Sequence, residues 1–204
     1  MSFQANLFRL RGMGSGLLLV AGLLLMAGCG GSPKSSQNPI DVYRLNGIEY
    51  GVLDKGSLDF SDTRISGKGT LIFKDPAKSD DNNYALTFSL EEGGSLTLVA
   101  NSDAKLAEGV RYTFSRTGSR LKVVLSAGAS ETYDVSETFA AVPASSLPLM
   151  EIDVHGHGHS IVWAAGNKLD EFAFTTRVTG RLWGLRLDKA TVTQAKIGKA
   201  KEEH

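Results

Sequence analysis

The sequence predicts an all-β domain built as an antiparallel β-sandwich of jelly-roll form, with a closed barrel of about eight to ten strands as the alternative. Three observations carry that expectation. Beyond residue 40, apolar and polar residues alternate with a period of two. Such alternation puts one set on a buried face and the other toward water. The breaks between these runs hold Asn-Gly and Gly-Gly pairs, which suit tight hairpin turns. Helix-period signals are weak, and Asp103–Glu108 reads as at most a single turn.

The elements follow in chain order. Val42–Leu45 and Ile48–Leu53 flank Asn46-Gly47 and read as a hairpin. Lys74-Asp75-Pro76 through Asn82-Asn83 is a polar loop. Tyr84, Leu86, Phe88 and Leu90 alternate with Ala85, Thr87 and Ser89, and Leu96, Leu98 and Ala100 alternate with Thr97 and Val99. Between them Glu91-Glu92-Gly93-Gly94 reads as a turn, because Gly reaches positive φ at little cost. Val110, Tyr112 and Phe114 form one face, Leu121, Val123 and Leu125 another, and Thr117-Gly118-Ser119 joins the two runs. Trp183, Leu185 and Leu187 share a parity with Arg186 opposite, which makes Trp183 a core residue; Trp163, in step with Ile161, reads the same way. This amounts to about ten or more short strands.

Composition narrows the function classes. The chain has 204 residues, with 22 Lys+Arg balanced by 22 Asp+Glu, four His and one Cys. Neutrality argues against nucleic acid as a partner, since such proteins carry a basic excess. One Cys excludes an intramolecular disulfide and a Cys-rich zinc module.

The N-terminus reads as an address. Arg9 and Arg11 precede an apolar stretch from Met13 to Met26, and Ala27, Gly28 and Cys29 follow. A positive start, a short apolar centre and small residues at the end describe a secretory leader. The apolar run is shorter than the roughly 20 residues a membrane-spanning helix needs. The segment Met26-Ala27-Gly28-Cys29 resembles the lipobox of bacterial lipoproteins, with Met26 where Leu is usual. The resemblance implies cleavage before Cys29, lipidation of Cys29 and a membrane anchor. Gly30 in place of Asp implies direction to the outer membrane. Residues 1–28 are then leader, 29–39 a lipidated Cys and Ser/Gly/Pro-rich tether, 40–197 the sandwich domain and 198–204 a polar tail. Removing Arg9 and Arg11 leaves 20 basic against 22 acidic side chains, a net charge of −2. The lipid chains, rather than a basic patch, must supply the membrane affinity.

The unusual segment is Asp153-Val154-His155-Gly156-His157-Gly158-His159. His155, His157 and His159 share one face of an extended chain, with Asp153 beside them. Imidazole suits zinc and other divalent transition metals. Same-face residues on a straight strand lie about 6.6–7 Å apart, so three can converge only if the chain curls at Gly156 and Gly158. The same glycines are equally consistent with an exposed loop that binds metal only adventitiously. Gly67-Lys68-Gly69-Thr70 shares part of a phosphate-loop pattern but lacks the upstream Gly, Asp62 standing there. Acidic pairs such as Asp80-Asp81 fall in expected turns and carry no catalytic assignment.

The resulting expectation is a non-enzymatic, membrane-anchored lipoprotein whose β-sandwich binds a ligand or partner, a glycan or an envelope protein. The alternative is envelope metal binding through His155, His157 and His159. A metal-assisted hydrolase with Asp153 as base or ligand is the third reading.

Overall fold

The computed structural model describes residues 42–201. The leader, Cys29 and the tether lie outside the described residues, as does His204. Twelve strands form one antiparallel sheet: β1 (Val42–Leu45), β2 (Ile48–Asp54), β3 (Asp59–Ser61), β4 (Arg64–Phe73), β5 (Asn82–Ser102), β6 (Val110–Thr117), β7 (Arg120–Ala127), β8 (Glu131–Asp134), β9 (Met150–His155), β10 (His159–Ala164), β11 (Asn167–Ala173) and β12 (Leu182–Lys199). A 3-10 turn at Ser136–Phe139 interrupts the strands. Among the described residues no helix is long and apolar enough to cross a membrane.

Two long strands make the sheet a sandwich. β5 and β12 pair from Leu182↔Ser102 to Lys199↔Asn82. The far half of β5 also pairs with β6, through Ser95–Ala100, while its near half pairs with β9, through Asn82–Leu86. Two arms, β6-β7-β8 and β9-β10-β11, therefore leave one ribbon from its opposite halves. The Tyr84 hydroxyl donates to Asn101 Oδ1 at 2.6 Å. Seventeen residues of straight strand would hold these groups about 55 Å apart, so β5 must double back. The fold falls near Gly93 and Gly94, where the register slips between Asp188 and Ala190. Gly94 is required there, because a Cβ would overlap the Lys189 carbonyl oxygen. The segment Glu91–Gly94, expected as a turn between two strands, is instead a bend within one strand.

The arms meet face to face. Phe88 of β5 packs 5.2 Å from Phe114 of β6, and Phe114 meets Phe139 edge-on at 5.8 Å. The Tyr112 hydroxyl of β6 donates to Ser160 Oγ of β10 at 2.8 Å, and Ser160 donates on to the Asp153 carbonyl at 2.6 Å. The alternating sets Tyr84–Leu90 and Leu121–Leu125 fill this core as their parity required. Trp183 is fully buried and stacks on Phe73 at 3.9 Å. β1, β3, β8 and β11 remain edges, so the sheet is open and the barrel alternative fails.

The single turn read at Asp103–Glu108 is present, the Leu106 N–H donating to the Asp103 carbonyl at 3.1 Å; two other local expectations are corrected. Leu106 takes φ +53° and Asp103 Oδ1 accepts from the Ala107 N–H at 2.8 Å. This loop sinks Leu106 into a second cluster with Ile72 and Val99 on the outer face, which is why Val99 is buried against its parity. The polar tail expected from residue 198 begins inside β12, which continues to Lys199 and pairs Gly198 with Asn83 and Lys199 with Asn82. Trp163 is only partly buried. It lies on the opposite face of β10 from Ser160 and Val162, and Lys201 Nζ sits 4.2 Å above its ring.

Candidate functional site

Two surfaces carry chemistry. The first is the β9–β10 hairpin. His155 ends β9 and pairs with His159, which starts β10, so the turn Gly156-His157-Gly158 lies between them. The curl that the glycines permit is thus a hairpin, and it is pinned rather than loose. Gly156 N–H donates to Asp81 Oδ1 at 3.2 Å, and the Gly156 carbonyl accepts from Val178 N–H at 3.3 Å. The Gly158 carbonyl accepts from Phe174 N–H at 2.8 Å. Side chains at both glycines would collide, with Asp80 at 156 and with the Phe174 carbonyl at 158.

The three imidazoles gather, with ring centres 5.5 Å (His155–His157), 5.1 Å (His155–His159) and 6.1 Å (His157–His159) apart. Their partners differ. His155 Nδ1 lies 3.5 Å from Asp81 Oδ1, and its buried Nε2 has no hydrogen-bond partner among the described residues. One donor atom each from Asp81, His155 and His157 lies within 4.8 Å of the others. His159 is not part of this group: its Nε2 sits 2.6 Å from Glu171 Oε1. Lys168 and His159 together hold the Glu171 carboxyl below its ordinary range. Asp81 comes from the polar loop 75 residues upstream of the hairpin. Only tertiary pairing of β5 with β9 brings it there, so no local sequence signal marks it.

Asp153 does not join the cluster. Its carboxylate is fully buried and accepts from Asn83 Nδ2 at 2.8 Å and from Trp163 Nε1 at 3.0 Å. The Lys201 N–H donates to the same carboxylate at 3.4 Å, and Asp153 is not among the donor groups that gather at the hairpin.

The second surface lies at β1, β2 and β3. Tyr43 stacks on Phe60 at 4.6 Å and on Tyr50 at 5.7 Å. These rings wall an open pocket of about 590 Å³, rimmed by Arg44, Glu49, Ser61 and Asp62. The Tyr50 hydroxyl is buried there without a hydrogen-bond partner among the described residues. Burial first, then Tyr43 and Asp62, push its pKa up to about 12. Trp183 is core, as its parity required, its Nε1 donating to the Asp75 carbonyl at 2.9 Å. A partly buried stacked pair, Tyr43 and Phe60, comes together instead through the β1–β2 and β3–β4 hairpins. Gly67-Lys68-Gly69-Thr70 lies inside β4, in ladder with β12, which confirms that it is no phosphate loop.

No family model and no curated protein matches the chain. Among solved structures, the carbohydrate binding module CBM66 from Bacillus subtilis is similar with a TM-score of 0.52 and 10% identity, over 74% of this chain and 95% of that one. The Ca²⁺/Man-bound form of the VIP36 exoplasmic/lumenal domain is similar with a TM-score of 0.54 and 12% identity, over 76% of this chain and 84% of that one. At these identities the likeness is one of fold: the chain is an all-β sandwich of the architecture that these two domains share.

Proposed function

We propose that this protein is a lipid-anchored binding module of the bacterial cell envelope whose β-sandwich takes a saccharide in the β1–β3 pocket. The observation that carries the reading is the Tyr43–Phe60 stack walling a pocket rimmed by Arg44, Glu49, Ser61 and Asp62. A sugar ring has an apolar face and a polar edge. A partly exposed aromatic face receives the first, and charged or hydroxyl groups at the rim bond the second. The pocket volume falls within the roughly 300–1,000 Å³ of small-ligand sites. The sandwich shared with a carbohydrate binding module and with a domain solved in a Man-bound form supports the same ligand class, by analogy of fold. The Met26-Ala27-Gly28-Cys29 segment supports the anchor, and Gly30 after it supports the outer-membrane address.

Two experiments test the reading. The protein is screened on a glycan array beside Tyr43→Ala; a defined saccharide set bound by the wild type and lost in the variant is expected. Binding to no saccharide, or binding that Tyr43→Ala leaves intact, refutes the pocket assignment. Mass spectrometry of the mature N-terminus is expected to find acylated Cys29, and an unmodified Cys29 refutes the anchor.

A further inference from the structure

We propose that Asp81, His155 and His157 form a binding site for a divalent transition metal ion of the zinc class. This set differs from the three histidines that the sequence singled out, exchanging His159 for a carboxylate from a distant loop. Its residues are separate from those of the β1–β3 pocket.

The argument starts from donor chemistry. Two imidazoles and one carboxylate are the borderline set that suits zinc and its neighbours, whereas calcium takes six or more oxygens. Zinc bonds of about 2.0–2.1 Å place tetrahedral donors about 3.3 Å apart. The three donor atoms already lie within 4.8 Å of one another, so closing the set takes a rotation of the exposed His157 side chain and no rearrangement of the sheet. The backbone beneath is fixed from both sides by the Asp81, Val178 and Phe174 contacts. A fourth position falls to water, as in sites with three protein ligands.

A second observation points the same way. His155 is only 13% exposed, and its Nε2 is buried without a hydrogen-bond partner among the described residues. A nitrogen buried without a partner is unfavourable. An Asp81–His155 contact serving structure alone would not explain the second imidazole beside it at the hairpin tip. His159 has a different part. Held by Glu171 at 2.6 Å and with its ring 5.1 Å from that of His155, it flanks the site as a positioning residue.

The test is calorimetric titration of zinc chloride into the full chain, purified in detergent without a polyhistidine tag. One ion per chain is expected, with affinity weakened at least about tenfold in His157→Ala and in Asp81→Asn. His159→Ala is expected to weaken it less than either, and His204→Gln to leave it unchanged. His157 is exposed, so His157→Ala should keep the wild-type melting temperature without metal, which separates lost ligation from lost fold. Bound Co²⁺ should show the ligand-field absorption of a tetrahedral site in the wild type and lose it in His157→Ala. The proposal is overturned if zinc does not bind, if His157→Ala and Asp81→Asn both leave binding unchanged, if His204→Gln alone abolishes it, or if His159→Ala abolishes it while Asp81→Asn does not.

Discussion

Replacing Asp153 by alanine should damage the fold and spare the metal site. Asp153 sits on the face of β9 that leads to His155, so proximity in sequence would enlist it as a ligand. Its carboxylate instead accepts from Asn83 Nδ2 at 2.8 Å and Trp163 Nε1 at 3.0 Å. Truncation strands both side-chain donors and the Lys201 N–H, 3.4 Å from the same carboxylate, and an unpaired buried polar group costs about 1–3 kcal/mol. Asn83 is 9% exposed and pays most of that cost, while Trp163 is only partly buried and recovers some through water. Removing a buried charge returns a part, so the expected net loss is about 2–4 kcal/mol. With a urea m-value of about 2 kcal/mol/M, the unfolding midpoint should fall by about 1–2 M. The assay is urea unfolding followed by intrinsic tryptophan fluorescence, with zinc titration of the same folded variant. Unchanged stability together with lost zinc binding would refute the reasoning, since it would place the carboxylate in the ligand set.

Three further outcomes follow from the fold. Trp183→Ala empties the space stacked on Phe73 and should cost about 3–5 kcal/mol, read from thermal melts and near-ultraviolet circular dichroism; a loss below about 1 kcal/mol would contradict its place in the core. Gly94→Ala forces a methyl onto the Lys189 carbonyl and should cost about 1–3 kcal/mol by overpacking, whereas a neutral outcome in the same melts would mean that the β5–β12 ribbon does not bend there. Glu131 accepts from the hydroxyls and backbone N–H groups of Thr175 and Thr176, and those bonds, led by the Thr176 hydroxyl, lower its pKa from 4.5 to about 2. A depressed carboxylate stabilises the fold fully above its ordinary range and loses that contribution as pH falls through about 2. Glu131→Gln should therefore be less stable than wild type at pH 7, and the gap should narrow steadily from about pH 4.5 downward; a gap that is independent of pH would refute the assignment.

Much of the sandwich was legible because its physics is local. The period-two runs at Tyr84–Leu90 and Leu121–Leu125 fix which face is buried, and Asn46-Gly47 fixes a hairpin between Leu45 and Ile48. What local pattern does not encode is where the sheet folds over. Glu91–Gly94 looks like a turn because its residues permit one, yet pairing with β12 on both sides of the bend holds the strand together. Val99 shows the same limit: its parity faces water, but the loop carrying Leu106 covers that face. The histidine cluster was visible as a spacing, but Gly156 and Gly158 allowed both a curl and an exposed loop, and only the pairing of β9 with β10 makes the segment a hairpin. Asp81 was not visible, because only the long-range pairing of β5 with β9 carries its loop to His155. Tyr43 and Phe60 were missed for a like reason, since they lie on different hairpins and neither is part of a motif.

Nuclear magnetic resonance titration of the isotopically labelled protein with the saccharide selected on the array tests the binding assignment most directly. The account predicts dose-dependent shifts confined to Tyr43, Arg44, Glu49, Phe60, Ser61 and Asp62, with the β9–β10 hairpin undisturbed. Shifts that cluster elsewhere on the sandwich, or none at saturating saccharide, would contradict it.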